Sequence, residues 1–314
     1  MTLAAHRHDS VGGSRFRHEA VLYRGLHDLR RTVLPFVRDG LAEDESVMVA
    51  MLPDRVRTLR NALGADADRV TFVDMQEIGG NPARIIPEWR RFVDLADGRS
   101  LRGVGEPVWA GRREVELEEC VLHESLLNVA FDDGPAWRLL CPYDAAALPQ
   151  DVVDEVFRTH PVVEEHVRGI AYQGHHLAHS SFGEQLVEPP ETVDSLPFGT
   201  EDLAGVRDVV RRLSGRAGIG RDTVEDLVLA AHELAANSIR HGGGAGLLSA
   251  WREEDAFVVE VRDPGRIADP LVGRELAGFA DETGRGVWMA NQLCDLVQVR
   301  SGPAGTVVRL FTWL

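Results

Sequence analysis

His232-Glu233-Leu234-Ala235-Ala236-Asn237 decides how the second half of this 314-residue chain is read. It lies near the end of residues 223–240, where Val224, Leu227, Val228, Ala231, Leu234 and Ala235 recur at helical spacing, so the segment reads as a long amphipathic helix. Asp222 and Glu225 supply an Asp-x-x-Glu capping signal at its start, and Gly242, Gly243 and Gly244 stop it. Glu233 and Asn237 are four apart and project from one helix face, away from the apolar stripe. A carboxylate can take a proton from a nucleophile, and an amide oxygen suits a hard cation such as Mg2+. The pair alone decides little. His123-Glu124-Ser125-Leu126-Leu127-Asn128 has the same spacing with only Cys141-Pro142-Tyr143 beyond it, and reads as a structural part of its own helix.

The residues downstream of the later copy set it apart. Two strand-like segments, 246–251 and 256–262, are joined by an acidic turn at Glu253, Glu254 and Asp255. Arg262-Asp263-Pro264-Gly265 ends the second and places a carboxylate in a turn, where it can accept from an exocyclic amino group such as that of adenine. Further on, Thr283-Gly284-Arg285-Gly286 opens an apolar helical stretch. Glycines there admit backbone N–H groups to a phosphate, and a helix start favours its charge. Ser301-Gly302-Pro303-Ala304-Gly305-Thr306 turns a final hairpin of 296–300 and 306–312, and a helix at 201–214 precedes the set. Helices and an antiparallel sheet in this order predict an α/β two-layer sandwich.

The first half alternates differently. Strand signals at 46–52, 69–74, 101–109 and 137–142 are interleaved with helical spacing at 55–63, 83–95, 114–131 and 149–160, which predicts a mostly parallel α/β domain. No phosphate-binding glycine loop follows any of these strands. The chain contains no lysine, so any nucleotide site must hold phosphates without a Walker lysine. A net charge of −16 argues against a nucleic-acid or anionic-membrane surface. No apolar run approaches the ~18 residues of a membrane span, and the first residues lack a signal-peptide core, so a cytoplasmic protein is expected. Cys120, Cys141 and Cys294 lie far apart in sequence and read as reduced thiols without a metal or redox pair.

On these residues, 201–314 resembles the GHKL (histidine-kinase/gyrase) ATP-binding fold, and within it the serine-kinase type of anti-sigma factor. The resemblance implies that Glu233 is a general base and Asn237 a Mg2+ ligand. It implies Asp263 and Gly265 at the adenine, Gly284, Arg285 and Gly286 around the phosphates, and Gly305 and Thr306 near the adenine, with 266–282 as a flexible lid. The family's Asp-x-Gly-x-Gly run has Ile267 where its second glycine stands. Residues 15–182 resemble a MEDS-type sensory domain, a degenerate RecA-like unit. That likeness rests on Arg17-His18-Glu19, Tyr23, Gly105-Glu106-Pro107-Val108-Trp109 and Glu124-x-x-x-Asn128-x-Ala130-Phe131, with 183–200 read as a linker.

Together the resemblances imply a regulatory, ATP- and Mg2+-dependent protein serine/threonine kinase modulated by its sensory domain. The implied partners are an anti-sigma-factor antagonist or a sigma factor; a small-molecule ligand of the sensory domain and a homodimer are further expectations. One alternative is a histidine kinase, for which His123-Glu124 is the only near match to a phospho-acceptor and has no proline at the right distance after it. Another is an ATP-binding switch that sequesters a partner without transfer. His160, His166, His175, His176 and His179 read as packing or surface histidines, and Trp89, Trp109 and Trp137 as core.

Overall fold

The computed structural model describes residues 16–164, 166–167, 171–191, 193–275 and 285–314. The first unit runs β1 (Phe16–Tyr23), α1 (Gly25–Ala42), β2 (Ser46–Met51), α2 (Pro53–Leu63), β3 (Val70–Asp74), α3 (Met75–Gly79), α4 (Ile85–Asp94), β4 (Leu101–Gly105), α5 (Glu114–Ala130), β5 (Trp137–Asp144), α6 (Gln150–Thr159), β6 (Val162–Val163), β7 (His166–Val167) and α7 (His175–Gly183). Its sheet has the order β3-β2-β4-β5-β1-β6-β7 and is parallel except where β6 meets β7. β2 shows why. Val47, Val49 and Met51 pack with Leu29, Val33 and Leu59 of α1 and α2, while Met48 and Ala50 join the core on the other face. A strand covered on both faces reads as a continuous apolar run. β4 stops at Gly105, short of the expected strand end. A Cβ on Gly103 or Gly105 would come within 2.8 or 2.9 Å of the Trp89 ring, so both glycines make room for the indole. Trp89 and Trp137 are core, as expected.

The second unit runs β8 (Asp194–Gly199), α8 (Leu203–Arg216), α9 (Arg221–His241), β9 (Ala245–Arg252), β10 (Ala256–Asp263), α10 (Arg285–Leu293), β11 (Leu296–Gly302) and β12 (Gly305–Trp313). Its antiparallel sheet has the order β11-β12-β10-β9-β8. One face packs on the helices through Leu227, Ala231, Leu234 and Ala235 of α9 against Leu248, Val259, Val261 and Leu310. This is the expected two-layer sandwich beside a parallel α/β domain. Two local expectations fail. Asp194–Gly199, read as linker, is the edge strand paired with β9; an edge tolerates Pro197 because no neighbour needs its missing N–H. Asp222 does not cap α9: the N-cap is Gly220, with no side-chain cap bond, and Glu225 pairs instead with Arg211 at 2.8 Å.

The two units are packed together rather than strung apart. On the sheet face away from α8–α10, Arg300 of β11 meets Glu119 of α5 at 2.7 Å, and Gln298 donates to Glu118 at 3.3 Å. Arg84 donates to the carbonyls of Asn291 at 2.6 Å and Cys294 at 2.7 Å, placing a cation at the C-terminal end of α10, where the helix dipole favours it. Among the described residues no helix is long and apolar enough to cross a membrane.

Candidate functional site

The turn after β10 is built around one carboxylate. Asp263 accepts from Ser238 Oγ of α9 at 2.6 Å and from the Gly265 N–H at 2.8 Å. Thr306, at the start of β12, donates to the Gly265 carbonyl at 2.9 Å and meets Ser301 Oγ at 2.8 Å. Three glycines are required by this turn. A Cβ on Gly242 would overlap the Asp263 carboxylate, and one on Gly265 would lie 2.5 Å from Gly242 Cα. Gly305 has φ +118°, in the left-handed region, and a Cβ there would overlap the Asp263 carbonyl. Gly242, read from the sequence only as a helix stop, thus lets α9 end against Asp263.

Ile267 replaces the second glycine of the family pattern without strain, since its φ is not positive. Its N–H donates to Ser301 Oγ at 2.7 Å, which ties the turn to the last hairpin. Ser238, which lines the site, and Ser301, which braces it from the final hairpin turn, were given no role by the sequence motifs. The signal for Ser238 was its place beside Asn237 on the helix.

These residues line a cleft of about 850 Å³, open mouth included, with Asn237, Ser238, Asp263, Gly265 and Thr306 among apolar walls from Leu234, Val261, Val287 and Val308. That mix of apolar walls and a few polar groups suits a small-molecule ligand. Asn237, with Glu233 one turn earlier on α9, also lies against the start of α10. A Cβ on Gly286 would strike the Asn237 amide and come within 3.4 Å of Glu233 Cβ, so only glycine lets the helix N-terminus approach this pair. Asn237 Oδ1 accepts from the exposed Arg240 at 3.1 Å. Arg285, the first residue of α10, is exposed. Gly284 lies outside the described residues.

The described part of the expected lid, 266–275, is held by the first unit. Buried Arg274 reaches Glu119 at 3.2 Å and partly exposed Glu275 pairs with Arg90 at 2.7 Å. The Gly273 carbonyl accepts from Asn291, whose own side-chain oxygen accepts from Asn81 of the first unit at 3.0 Å. Residues on α4, α5 and the turn before α4 therefore grip the segment that borders the cleft.

The first unit contributes its own polar centre at the C-terminal ends of its strands. Tyr23 donates to Glu106 at 2.5 Å and Arg55 donates to the same carboxylate at 2.9 Å. Burial raises the Glu106 carboxyl to about 7, against the opposing pull of Arg55. A folded-state pKa above the unfolded one adds stability below the ordinary carboxylate range and loses it as pH rises through about 7. The stability advantage of the wild type over Glu106→Gln should therefore shrink by about 2–3 kcal/mol between about pH 5 and pH 8 in urea unfolding. Parallel profiles for the two proteins would rule this out.

The earlier Glu–Asn copy is buried, not solvated: His123, Glu124 and Asn128 sit inside the first unit. His160, read as a packing or surface residue, is also fully buried and lies 3.3 Å from Glu124. His175 and His179 do not converge as a pair, since His175 Nε2 meets the Asn128 carbonyl at 3.0 Å and His179 Nδ1 the His175 carbonyl at 2.9 Å. The side chain of His166 lies outside the described residues.

The profile described as the histidine kinase-like ATPase domain matches residues 196–312, and that of the MEDS (methanogen/methylotroph, DcmR sensory) domain matches 17–161. The chain therefore belongs to the histidine kinase-like ATPase family, with a MEDS sensory domain ahead of the ATPase-like unit. Among curated relatives it is similar to the serine-protein kinase RsbW of Halalkalibacterium halodurans, 30% identical over 141 residues that make up 41% of this chain and 86% of that protein. A solved structure of the RsbU and RsbW domains of a Mycobacterium tuberculosis protein matches at 19% identity and a TM-score of 0.29, over 38% of this chain and 32% of that one. The chain thus spans about a third of that Mycobacterium protein.

Proposed function

We propose that this protein is an ATP-dependent regulatory serine/threonine kinase of the anti-sigma-factor type, with its sensory domain acting on the segment beside the ATP cleft. One observation carries the reading: Glu233 and Asn237 stand together against Gly286 at the start of α10, and Asn237 lines the same cleft as Asp263 and Thr306. Asp263 spends one hydrogen bond on Ser238 and one on Gly265, which leaves acceptor capacity for an adenine amino group. The apolar walls take the base, and the N-terminus of α10 with Arg285 faces the phosphates.

Asn237 Oδ1 is the hard oxygen donor this helix face offers, and a Mg2+ ion there would offset charge on the phosphates. Glu233 accepts the proton of a serine or threonine hydroxyl on a partner protein as that oxygen bonds to the γ-phosphorus and ADP departs. Catalysis of this kind is mainly positioning and charge stabilisation. By the resemblance of its site residues to the serine-kinase type of anti-sigma factor, the proposed partner is an anti-sigma-factor antagonist, with a sigma factor as the protein sequestered; the serine-protein kinase relative supports the kinase part of this reading.

The test is incubation of the full chain with γ-labelled Mg-ATP and candidate partner proteins, followed by phosphoamino-acid analysis. Label on serine or threonine supports the reading. Binding of ATP with no transfer to any partner favours the non-catalytic switch. A histidine kinase is disfavoured because His123 is wholly buried in the first unit, where burial also lowers its pKa to about 3.

Asp263→Asn should weaken ATP binding by about 10- to 100-fold, the loss of one or two charge-assisted bonds. The asparagine would also turn an N–H2 donor toward groups that are themselves donors. Calorimetric titration with ATP checks this, and an unchanged dissociation constant would remove Asp263 from the adenine site.

A further inference from the structure

We infer that His18, Glu124, Cys141 and His160 form a binding site for one divalent transition-metal ion, of a two-nitrogen, one-oxygen, one-sulfur kind that suits Zn2+, in the centre of the sensory domain. The inference is independent of the nucleotide reading. His18 comes from β1, Cys141 from the neighbouring β5, Glu124 from α5, and His160 from the C-terminal cap of α6. One ligand atom from each lies within 4.8 Å of all the others, and all four residues are buried.

The separations have the right size. His18 Nε2 is 3.0 Å and His160 Nε2 3.3 Å from Glu124 Oε2, while Cys141 Sγ is 3.4 Å from His18 Nε2 and 3.7 Å from Glu124 Oε2. Four donors around tetrahedral zinc, at bond lengths of about 2.0–2.3 Å, are separated by edges of about 3.3–3.6 Å.

Protonation points the same way. The Asn128 amide nitrogen donates to the Thr159 carbonyl at 2.9 Å, so its Oδ1 is an acceptor. His18 Nδ1, 3.1 Å from that oxygen, therefore donates to it, and Nε2 is the ring nitrogen that faces Glu124. His160 Nδ1 faces the Val156 carbonyl at 3.1 Å, so its Nε2 is likewise the nitrogen turned to Glu124. Two ring nitrogens and a carboxylate thus converge beside the Cys141 thiol. Among the described residues, His160 Nε2 and Glu124 Oε1 have no hydrogen-bond partner. A shared proton would satisfy one of these contacts, whereas a metal ion satisfies all four groups. Each histidine already has the outer partner that fixes a ligand's tautomer and ring orientation. Phe16 stacks on His18 at 5.6 Å and Tyr143 meets His160 edge-on at 5.7 Å, closing the site in an aromatic shell. The ion would pin β1, β5 and α6 to α5, the helix that also carries Glu119.

Cobalt(II) titration of the full chain, stripped with a chelator under reducing conditions, tests this. The expected result is uptake of one equivalent with tetrahedral visible bands and a thiolate-to-cobalt charge-transfer band, displaced by Zn2+ and accompanied by a rise in the unfolding temperature. Cys141→Ser should abolish the charge-transfer band and Cys120→Ser should leave it. Two results would overturn the site. One is a wild-type protein that melts cooperatively but takes up no stoichiometric Co2+ or Zn2+, which would assign the cluster to a histidine–carboxylate proton pair. The other is a charge-transfer band that survives in folded Cys141→Ser. The wild-type titration decides the question even if that variant does not fold.

Discussion

Glu119→Ala is expected to destabilise the protein by about 3–5 kcal/mol, the cost of breaking a buried ion pair by removing one partner. Glu119 holds Arg300 of β11 at 2.7 Å and Arg274 beside the cleft at 3.2 Å, and all three side chains are less than a tenth exposed. Without the carboxylate, two guanidinium groups face one another away from water. Burial already pulls the Arg274 pKa down and Glu119 is what opposes it. Glu118, which accepts from Gln298 at 3.3 Å, stays near Arg300 but has no contact with Arg274 to replace that of Glu119 among the described residues. Glu119→Gln keeps acceptor capacity and should cost less. Urea unfolding measures both. A loss under about 1 kcal/mol for the alanine variant would show that the contact between the units is not the anchor described. The same variant should loosen the 266–275 segment, because Arg274 is its buried tie to the sensory domain.

Glu233→Gln should lower phosphoryl transfer by about 100-fold or more while leaving ATP affinity within about twofold, because it removes a proton acceptor and keeps shape and polarity. The effect is expected in the rate and not in binding, since Glu233 stands against Gly286 and, unlike Asn237 and Asp263, does not line the cleft. A loose transition state asks less of a base than a tight one, which sets the expected loss toward the lower end of the range for such groups. Single-turnover transfer beside calorimetric ATP binding separates the two quantities. Transfer at the wild-type rate would assign Glu233 to the surface of α9 and nothing more.

The parts of the fold visible in the sequence are those in which apolar periodicity and chain position agree. α9 shows its stripe, β2 its continuous apolar run, and the β10 turn its Asp-Pro-Gly. β1 escapes because Arg17, His18 and Glu19 interrupt its apolar pattern, although it is a central strand. Glu19 is satisfied there by Arg138 at 2.7 Å, and His18 by the buried cluster. β8 escapes because an edge strand needs few apolar residues and accepts Pro197. Of the proposed nucleotide cleft, the sequence singled out Asn237, Asp263 and Thr306, which line it, and Glu233, which stands beside Asn237 against Gly286. Ser238 and Ser301 could not be assigned a role, because a serine carries no pattern and gains its place only from the turn it ties. Cys141 looked solitary for a similar reason: its neighbours His18 and Glu124 are distant in sequence and meet only through the parallel pairing of β1 with β5 and the packing of α5.

On the proposed function, the Glu233–Asn237 face and the Asp263 turn form one Mg-ATP site. Titration of the full chain and of Asn237→Ala with ATP, each with and without Mg2+, tests it most directly. Mg2+ should tighten ATP binding to the wild type, and this increment should disappear in Asn237→Ala, while binding of ATP without metal changes little. An increment of equal size in both proteins would contradict it, and would place the nucleotide somewhere other than the cleft between α9, α10 and the Asp263 turn.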